Sequence, residues 1–308
     1  MHILRLCSAF FIPIVLFPGV FGCAKERNAA PRSASSKPII AVSILPQAWF
    51  VTRIAGDRVR TLVLIGPGQN PHSYEPAPKQ MAGLAAARVW VLSGTEFEIS
   101  LTPKIRALFP GLSIIDGTEG VDFRFLEAHE EDEAREDHTG TIDRHTWLGS
   151  KPAKIMASHI RSALSEADNE GVAFYREQYG ALVKEIDEEF DALRQELAPL
   201  KGKTVFVYHP GFGYFLDEFG IIQRAIEAGG KEPGPRDLSD LIEQAKQEGV
   251  PAIFVQAQFP AESARTAAAA AGAELVPLDP LSPEWLDNIR LMGQALKKAS
   301  AGIQEAVP

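Results

Sequence analysis

Four residues far apart in the chain are of types that could converge on a cation. His72 lies in Asn70-Pro71-His72-Ser73-Tyr74-Glu75-Pro76, and His145 in Asp143-Arg144-His145-Thr146-Trp147-Leu148. His209 lies in Val207-Tyr208-His209-Pro210-Gly211-Phe212-Gly213, and Asp279 in Pro277-Leu278-Asp279-Pro280-Leu281. Each stands where a strand-like run gives way to a loop, or in a loop ahead of a helix. Imidazole nitrogens and a carboxylate oxygen are natural donors for a borderline divalent cation such as zinc. His2, His129, His138 and His159 sit in no such context and read as exposed or structural. Trp49, Trp90, Trp147 and Trp285 read as core residues, with Trp147 also a candidate wall of the site. Tyr74 and Glu75 are candidates to orient the imidazoles.

Bringing those four together requires a frame that ends several strands at one place. The run Ile39-Ile40-Ala41-Val42-Ser43-Ile44 is nearly continuous in apolar residues, as in a buried parallel strand. Helical spacing follows over 47–55, closed near Gly56, and a strand over 59–65 leads into the loop of His72. Strands over 89–92 and 112–115 alternate with helices over 79–87 and 101–109. A helix over 152–166 precedes a long amphipathic stretch, 171–197, that would span roughly 40 Å. Beyond Pro199 the alternation restarts. Strands are expected over 204–208, 221–228, 252–255 and 274–278. Helices are expected over 212–219, 239–248 (with Ser239 as N-cap), 261–271 and 283–299. The predicted fold is α/β. Two βα-type lobes with mainly parallel sheets, 38–168 and 201–308, are joined by one long backbone helix over 169–200. Ligands of open sheets bind beyond the carboxyl ends of the strands, which puts the metal site in the interlobe cleft.

The first residues read as an export signal. Residues 1–5 are basic, and 6–21 are almost wholly apolar but interrupted by Pro13 and Pro18. That is shorter than the ~20 apolar residues of a membrane span. Val20-Phe21-Gly22-Cys23 sets a small residue before a cysteine. This predicts a signal over 1–22, lipidation of Cys23 and a polar tether over 23–37. Cys7 and Cys23 are the only cysteines, so the body beyond the tether has no disulfide, thiolate cluster or thiol nucleophile. A net charge of −9 argues against a nucleic-acid partner. The segment 127–143, rich in Glu and Asp and carrying His129 and His138, reads as a solvated loop. A weak metal-gathering role is its alternative.

On these motifs the chain resembles the metal-binding solute receptors of bacterial ABC transporters for zinc and manganese, over about residues 39–297. The segments around His72, His209 and Asp279 carry the resemblance, together with Ala55-Gly56-Asp57-Arg58-Val59. The second motif departs from the family pattern Asp-Pro-His-x-Trp-Leu-Asp-Pro: Arg144 replaces the first proline and Gly149-Ser150 the final Asp-Pro. The resemblance implies that His72, His145, His209 and Asp279 ligate the metal. It also implies a monomeric, membrane-anchored lipoprotein on the periplasmic or cell-surface side, whose partners are an ABC permease and its ATPase. Such a protein is not an enzyme. Zn2+ is the implied transported ligand, because histidine at the third position resembles the zinc-type set, whereas manganese receptors typically carry glutamate there. A manganese (Mn2+) or iron receptor stays open, because this donor set also holds those ions. The loop that is histidine-rich in many zinc receptors is acidic here. A zinc-dependent hydrolase is a reading of another class, but catalytic zinc keeps an open position and a nearby base. The chain has four candidate ligands and no His-Glu-x-x-His helix. A surface adhesin is a third class, for which the chain shows no repeats.

Overall fold

The computed structural model describes residues 37–126, 141–227, 235–256, 258 and 261–305. The export signal, Cys23, the tether and most of the acidic segment lie outside them. Four short strands, β1 (Ile39–Val42), β2 (Arg60–Val63), β3 (Val89–Leu92) and β4 (Ser113–Asp116), form one sheet in the order β2-β1-β3-β4. Strands β5 (Thr204–Val207), β6 (Ile222–Ala225), β7 (Ala252–Gln256) and β8 (Glu274–Leu278) form a second in the order β6-β5-β7-β8. Every pairing is parallel, so all loops at the carboxyl ends of one sheet open on one side. The apolar run seen at β1 is explained by helices covering both faces of its sheet: Ile40, Ala41 and Val42 are wholly buried.

Nine α-helices connect and cover the strands among the described residues. They are α1 (Leu45–Ala55), α2 (Pro78–Ala86), α3 (Glu96–Leu108), α4 (Ser150–Ala167), α5 (Val172–Glu196), α6 (Gly213–Asp217), α7 (Pro235–Gln247), α8 (Ala261–Ala271) and α9 (Trp285–Glu305). Gly56, at φ +55°, ends α1 in a conformation that costs other residues a steric penalty. The long helix is α5. Its 25 residues bury Tyr175, Leu182, Ile186, Phe190 and Leu193 and pack on α1 and α4 at one side and α9 at the other. No helix of the described residues is long and apolar enough to cross a membrane.

The two lobes share one apolar core. It runs from Phe50, Trp90 and Ile160 through Phe190 to Phe215, Phe254 and Trp285, while a smaller cluster around Phe206, Tyr208 and Ala264 lies on the other side of the second sheet. Several boundaries differ from the sequence expectation. Helix α3 starts at Glu96 rather than 101, because Glu96 and Glu98 favour its first turn. Pro103 removes one helical hydrogen bond, yet Phe97, Leu101 and Ile105 bury a continuous face across it. Helix α7 opens at Pro235, a position suited to proline, so Ser239 lies one turn inside and is not the cap. Helix α6 is a single turn, and α9 runs on to Glu305.

Candidate metal centre

Three loops deliver three imidazoles to one point. His72 sits in a single 3-10 turn, Pro71–Ser73, whose shape is set by Asn70 Oδ1 accepting the His72 N–H at 2.9 Å. His145 stands immediately before the turn Thr146–Leu148 that feeds α4. His209 follows β5 and is held by its backbone: its N–H reaches Gln256 Oε1 at 3.3 Å, and Gln256 Nε2 donates to its carbonyl at 2.9 Å. A second buried glutamine, Gln223, accepts from Phe212 N–H at 2.9 Å. Gly211 lies against the Gln256 amide that grips this loop; a Cβ there would stand 3.2 Å from Gln256 Nε2.

His209 Nε2 lies 3.3 Å from His72 Nε2 and 3.3 Å from His145 Nε2. All three donor atoms fall within 4.8 Å of one another. A tetrahedral zinc with Zn–N bonds of about 2.0–2.1 Å places its donors about 3.3–3.4 Å apart. Asp279 lies outside this mutually close group. Its Oδ1 accepts from Gln258 Nε2 at 2.7 Å and from Leu281 N–H at 2.9 Å, and Asn288 Nδ2 donates to its carbonyl. None of the described hydrogen bonds uses Asp279 Oδ2.

The other ring nitrogen of each imidazole faces a carboxylate. Glu96 Oε2 is 3.3 Å from His72 Nδ1, Asp143 Oδ1 2.9 Å from His145 Nδ1, and Glu227 Oε2 2.9 Å from His209 Nδ1. A carboxylate at Nδ1 favours the tautomer that carries its proton there and turns the Nε2 lone pair toward the common point. Three such lone pairs held together without a cation oppose one another; a cation removes that cost. Tyr74 and Glu75 do not fill the orienting role. The Tyr74 hydroxyl donates to Gln80 Oε1 at 2.8 Å, and Glu75 is exposed. Trp147 does flank the site, its ring centroid 5.4 Å from that of His145.

The electrostatics follow from burial and these pairings. Burial, reinforced by His145 and His72, pushes the His209 imidazole down to about 2, so it stays neutral at any ordinary pH. Burial also lowers His72, but Glu96 beside it overrides that and raises its pKa. Burial would raise Glu96, yet His72 holds it down at about 2. Burial pushes the Glu227 carboxyl up to about 7. Asp143 is held below the usual carboxylate range, because His145 and Arg124 outweigh its burial.

Residues 40–299 match the sequence family described as the periplasmic component A of a zinc-uptake complex. The chain belongs to that family. The zinc-binding lipoprotein AdcA of Streptococcus pneumoniae (strain R6) is 26% identical over 283 residues, covering 90% of this chain and 54% of AdcA. The chain thus spans about half the length of AdcA. The manganese ABC transporter substrate-binding lipoprotein scaA of Streptococcus gordonii is 25% identical over 269 residues, with 82% of each chain covered. A crystal structure of ZnuA superposes with a TM-score of 0.78 at 32% identity, covering 85% of this chain and 99% of that one.

Within the zinc-uptake component A family, the departures in the second motif have visible consequences. The Arg144 guanidinium donates to Gly94 O at 2.9 Å and approaches Glu96 at 3.8 Å, linking the loop of His145 to the carboxylate beside His72. Ser150, where the family pattern has proline, donates its backbone N–H to Glu218 Oε1 at 2.8 Å. A proline there would lose that bond. Of the three orienting carboxylates, only Asp143 was within reach of sequence reasoning, two residues before His145; Glu96 opens α3 and Glu227 follows β6, both far from their histidines in the chain. Glu227 is buried beside His209, the pivot of the three imidazoles. Glu227→Gln, which keeps the shape but not the charge, should weaken zinc binding about 10- to 100-fold, the scale of an orienting partner. Competition with a zinc chelator measures this, and an unchanged affinity would deny Glu227 its role.

Proposed function

We propose that this protein is an extracytoplasmic high-affinity receptor for a divalent metal ion, zinc first, which hands its cargo to an ABC-type permease driven by an ATPase. The observation that carries the reading is the pair of 3.3 Å Nε2–Nε2 separations centred on His209, with a carboxylate behind each imidazole. His72, His145 and His209 are the proposed nitrogen ligands. Asp279 is the proposed fourth, its Oδ2 turning in when the ion arrives. Residues 1–22 act as the export signal, Cys23 carries lipid, and 23–37 tether lobes 38–168 and 201–308, with 169–200 as the connecting helix. The receptor works as a monomer on the membrane surface and changes no bond in its cargo. Manganese is the second reading, favoured by the similarity to scaA and by the Asp279 carboxylate in the proposed ligand set; oxygen donors suit the harder ion.

Titrating the metal-stripped protein with zinc against manganese tests the reading. Tight one-to-one zinc binding that manganese does not displace supports it, equal competition moves the cargo to manganese, and no stoichiometric binding refutes the receptor. The pH dependence is a sharper check. His72 must shed its proton to ligate, and its pKa is raised; His209 has no proton to shed. Apparent affinity should therefore fall as pH drops through the His72 pKa, by about tenfold per unit for each proton displaced. An affinity flat from pH 8 to 5 would rule out His72 as a ligand.

A further inference from the structure

We propose that Arg124 is a positioning residue that makes metal retention depend on contact between the two lobes, with helix α6 as the element it senses. The inference rests on the ligand set proposed above.

The path begins at Asp143, which is 1% exposed. Its Oδ1 accepts both the backbone N–H of His145 and, at 2.9 Å, His145 Nδ1. Its Oδ2 accepts from Arg124 Nη1 at 2.5 Å. Arg124 belongs to the first lobe, in the chain that follows β4. Its other arm, Nε, donates to Asp217 Oδ2 at 2.9 Å, and Asp217 is the last residue of α6 in the second lobe. The guanidinium thus forks between the carboxylate that steers His145 and a helix that starts four residues after His209.

Two further contacts make the junction specific. The Tyr214 hydroxyl, on α6, accepts the Arg124 backbone N–H at 3.0 Å and donates to the Asp143 carbonyl at 3.2 Å. Gly213, the first residue of α6, has no side chain where the guanidinium lies; a Cβ there would sit 1.6 Å from Arg124 Nη1. The helix start is therefore shaped around this arginine. With α6 in place, Arg124 and Tyr214 hold Asp143 from both its ends, and Asp143 holds His145 with Nε2 facing His209. If α6 shifts away, the two Tyr214 bonds and the Asp217 anchor of Arg124 are lost together. Asp143 then keeps its bond to Arg124, but that guanidinium is anchored at one arm instead of two, so Asp143 and with it His145 are held less firmly. Retention is loosened through the arginine, without any pull on a ligand itself.

The test uses the full-length chain, with Arg124→Gln, Arg124→Lys and Asp217→Asn compared to the parent. Chelator competition gives zinc affinity, stopped-flow transfer to excess chelator gives the off-rate, and thermal unfolding of the metal-free proteins monitors the fold. Arg124→Gln is expected to lose about 10- to 100-fold in affinity, as for other orienting groups, with Arg124→Lys recovering part of it. Asp217→Asn touches neither Asp143 nor His145. It should raise the off-rate about two- to fivefold, the scale of one exposed ion pair, at an unchanged unfolding midpoint. Adding it to Arg124→Gln should cost nothing more. If Arg124→Gln fails to fold, Asp217→Asn and Tyr214→Phe decide the matter. Off-rates equal to the parent in both, or an Arg124→Gln effect confined to unfolding, overturn the proposal. A parent that binds no zinc instead withdraws the ligand assignment, and this proposal with it.

Discussion

His209→Ala is expected to weaken zinc binding by more than about 100-fold, beyond the 10- to 100-fold of an orienting group, while leaving the metal-free fold intact. His209 is the pivot of the cluster, since its Nε2 is the atom found 3.3 Å from both of the others. Its removal leaves His72 and His145 as a pair, their ring centroids 6.1 Å apart. The loop does not depend on the imidazole, because Gln256 grips the backbone N–H and carbonyl of residue 209 and Gln223 grips Phe212. Glu227 loses its partner, but a carboxyl already pushed up to about 7 accepts a proton readily and need not stay buried as an anion. His72→Ala should do less harm, because His72 is the most open of the three. Chelator competition on both variants, with circular dichroism of the metal-free forms, checks the prediction. Retention of parent affinity within tenfold in His209→Ala would remove the basis for the site.

The largest effect on stability is expected from Trp285→Ala. The indole is 1% exposed and packs at ring-centroid distances of 4.9 Å on Phe50, 5.6 Å on Trp49 and 6.4 Å on Phe190. Truncating a buried aromatic of this kind costs about 3–5 kcal/mol. Its Nε1–H also donates to Trp147 O at 2.7 Å, and Trp147 Nε1–H donates to Pro280 O at 2.7 Å. The two indoles therefore tie the segment after His145 to the segment after Asp279. Against a typical total of about 5–15 kcal/mol, the loss is a large fraction. Denaturant unfolding of the metal-free variant should show it, and a loss below about 1 kcal/mol would show that the lobes do not share the core described. Trp285→Phe separates the roles: it restores much of the packing but not the bond to Trp147.

The apolar runs at Ile39, Val89 and Ala252 were legible as strands because parallel strands covered on both faces need no polar alternation. The 171–197 periodicity was legible as one long helix for a similar reason: its stripe of Tyr175, Leu182, Ile186, Phe190 and Leu193 has one face to bury. Three site histidines stood out because each sits at a strand-to-loop junction. Other features were not legible. Glu96 and Glu227 read as ordinary surface acids, since nothing local marks a carboxylate that meets an imidazole 24 or 18 residues away along the chain. Arg124 gave no signal either; the antiparallel bridge between Phe125 and Ile142 brings Asp143 to it, and the packing of α6 on the first lobe brings Tyr214 and Asp217. The start of α3 was missed because its opening stretch, from Glu96, carries the polar residues Glu96, Glu98 and Ser100, and the buried face that Phe97 shares with Leu101 and Ile105 shows only in the fold.

Because the three imidazoles come from loops that belong to different halves of the chain, no fragment of it owns a binding site. Cargo therefore binds the assembled form alone, and it adds to folding stability in proportion to the logarithm of its saturation. At a free ion concentration 100 times the dissociation constant the gain is about 2.7 kcal/mol. A molecule that has just surrendered its ion gives up that margin at once. The metal-free form should be the one a protease cleaves faster, so loss of the ion would be read directly as a shorter lifetime of the protein.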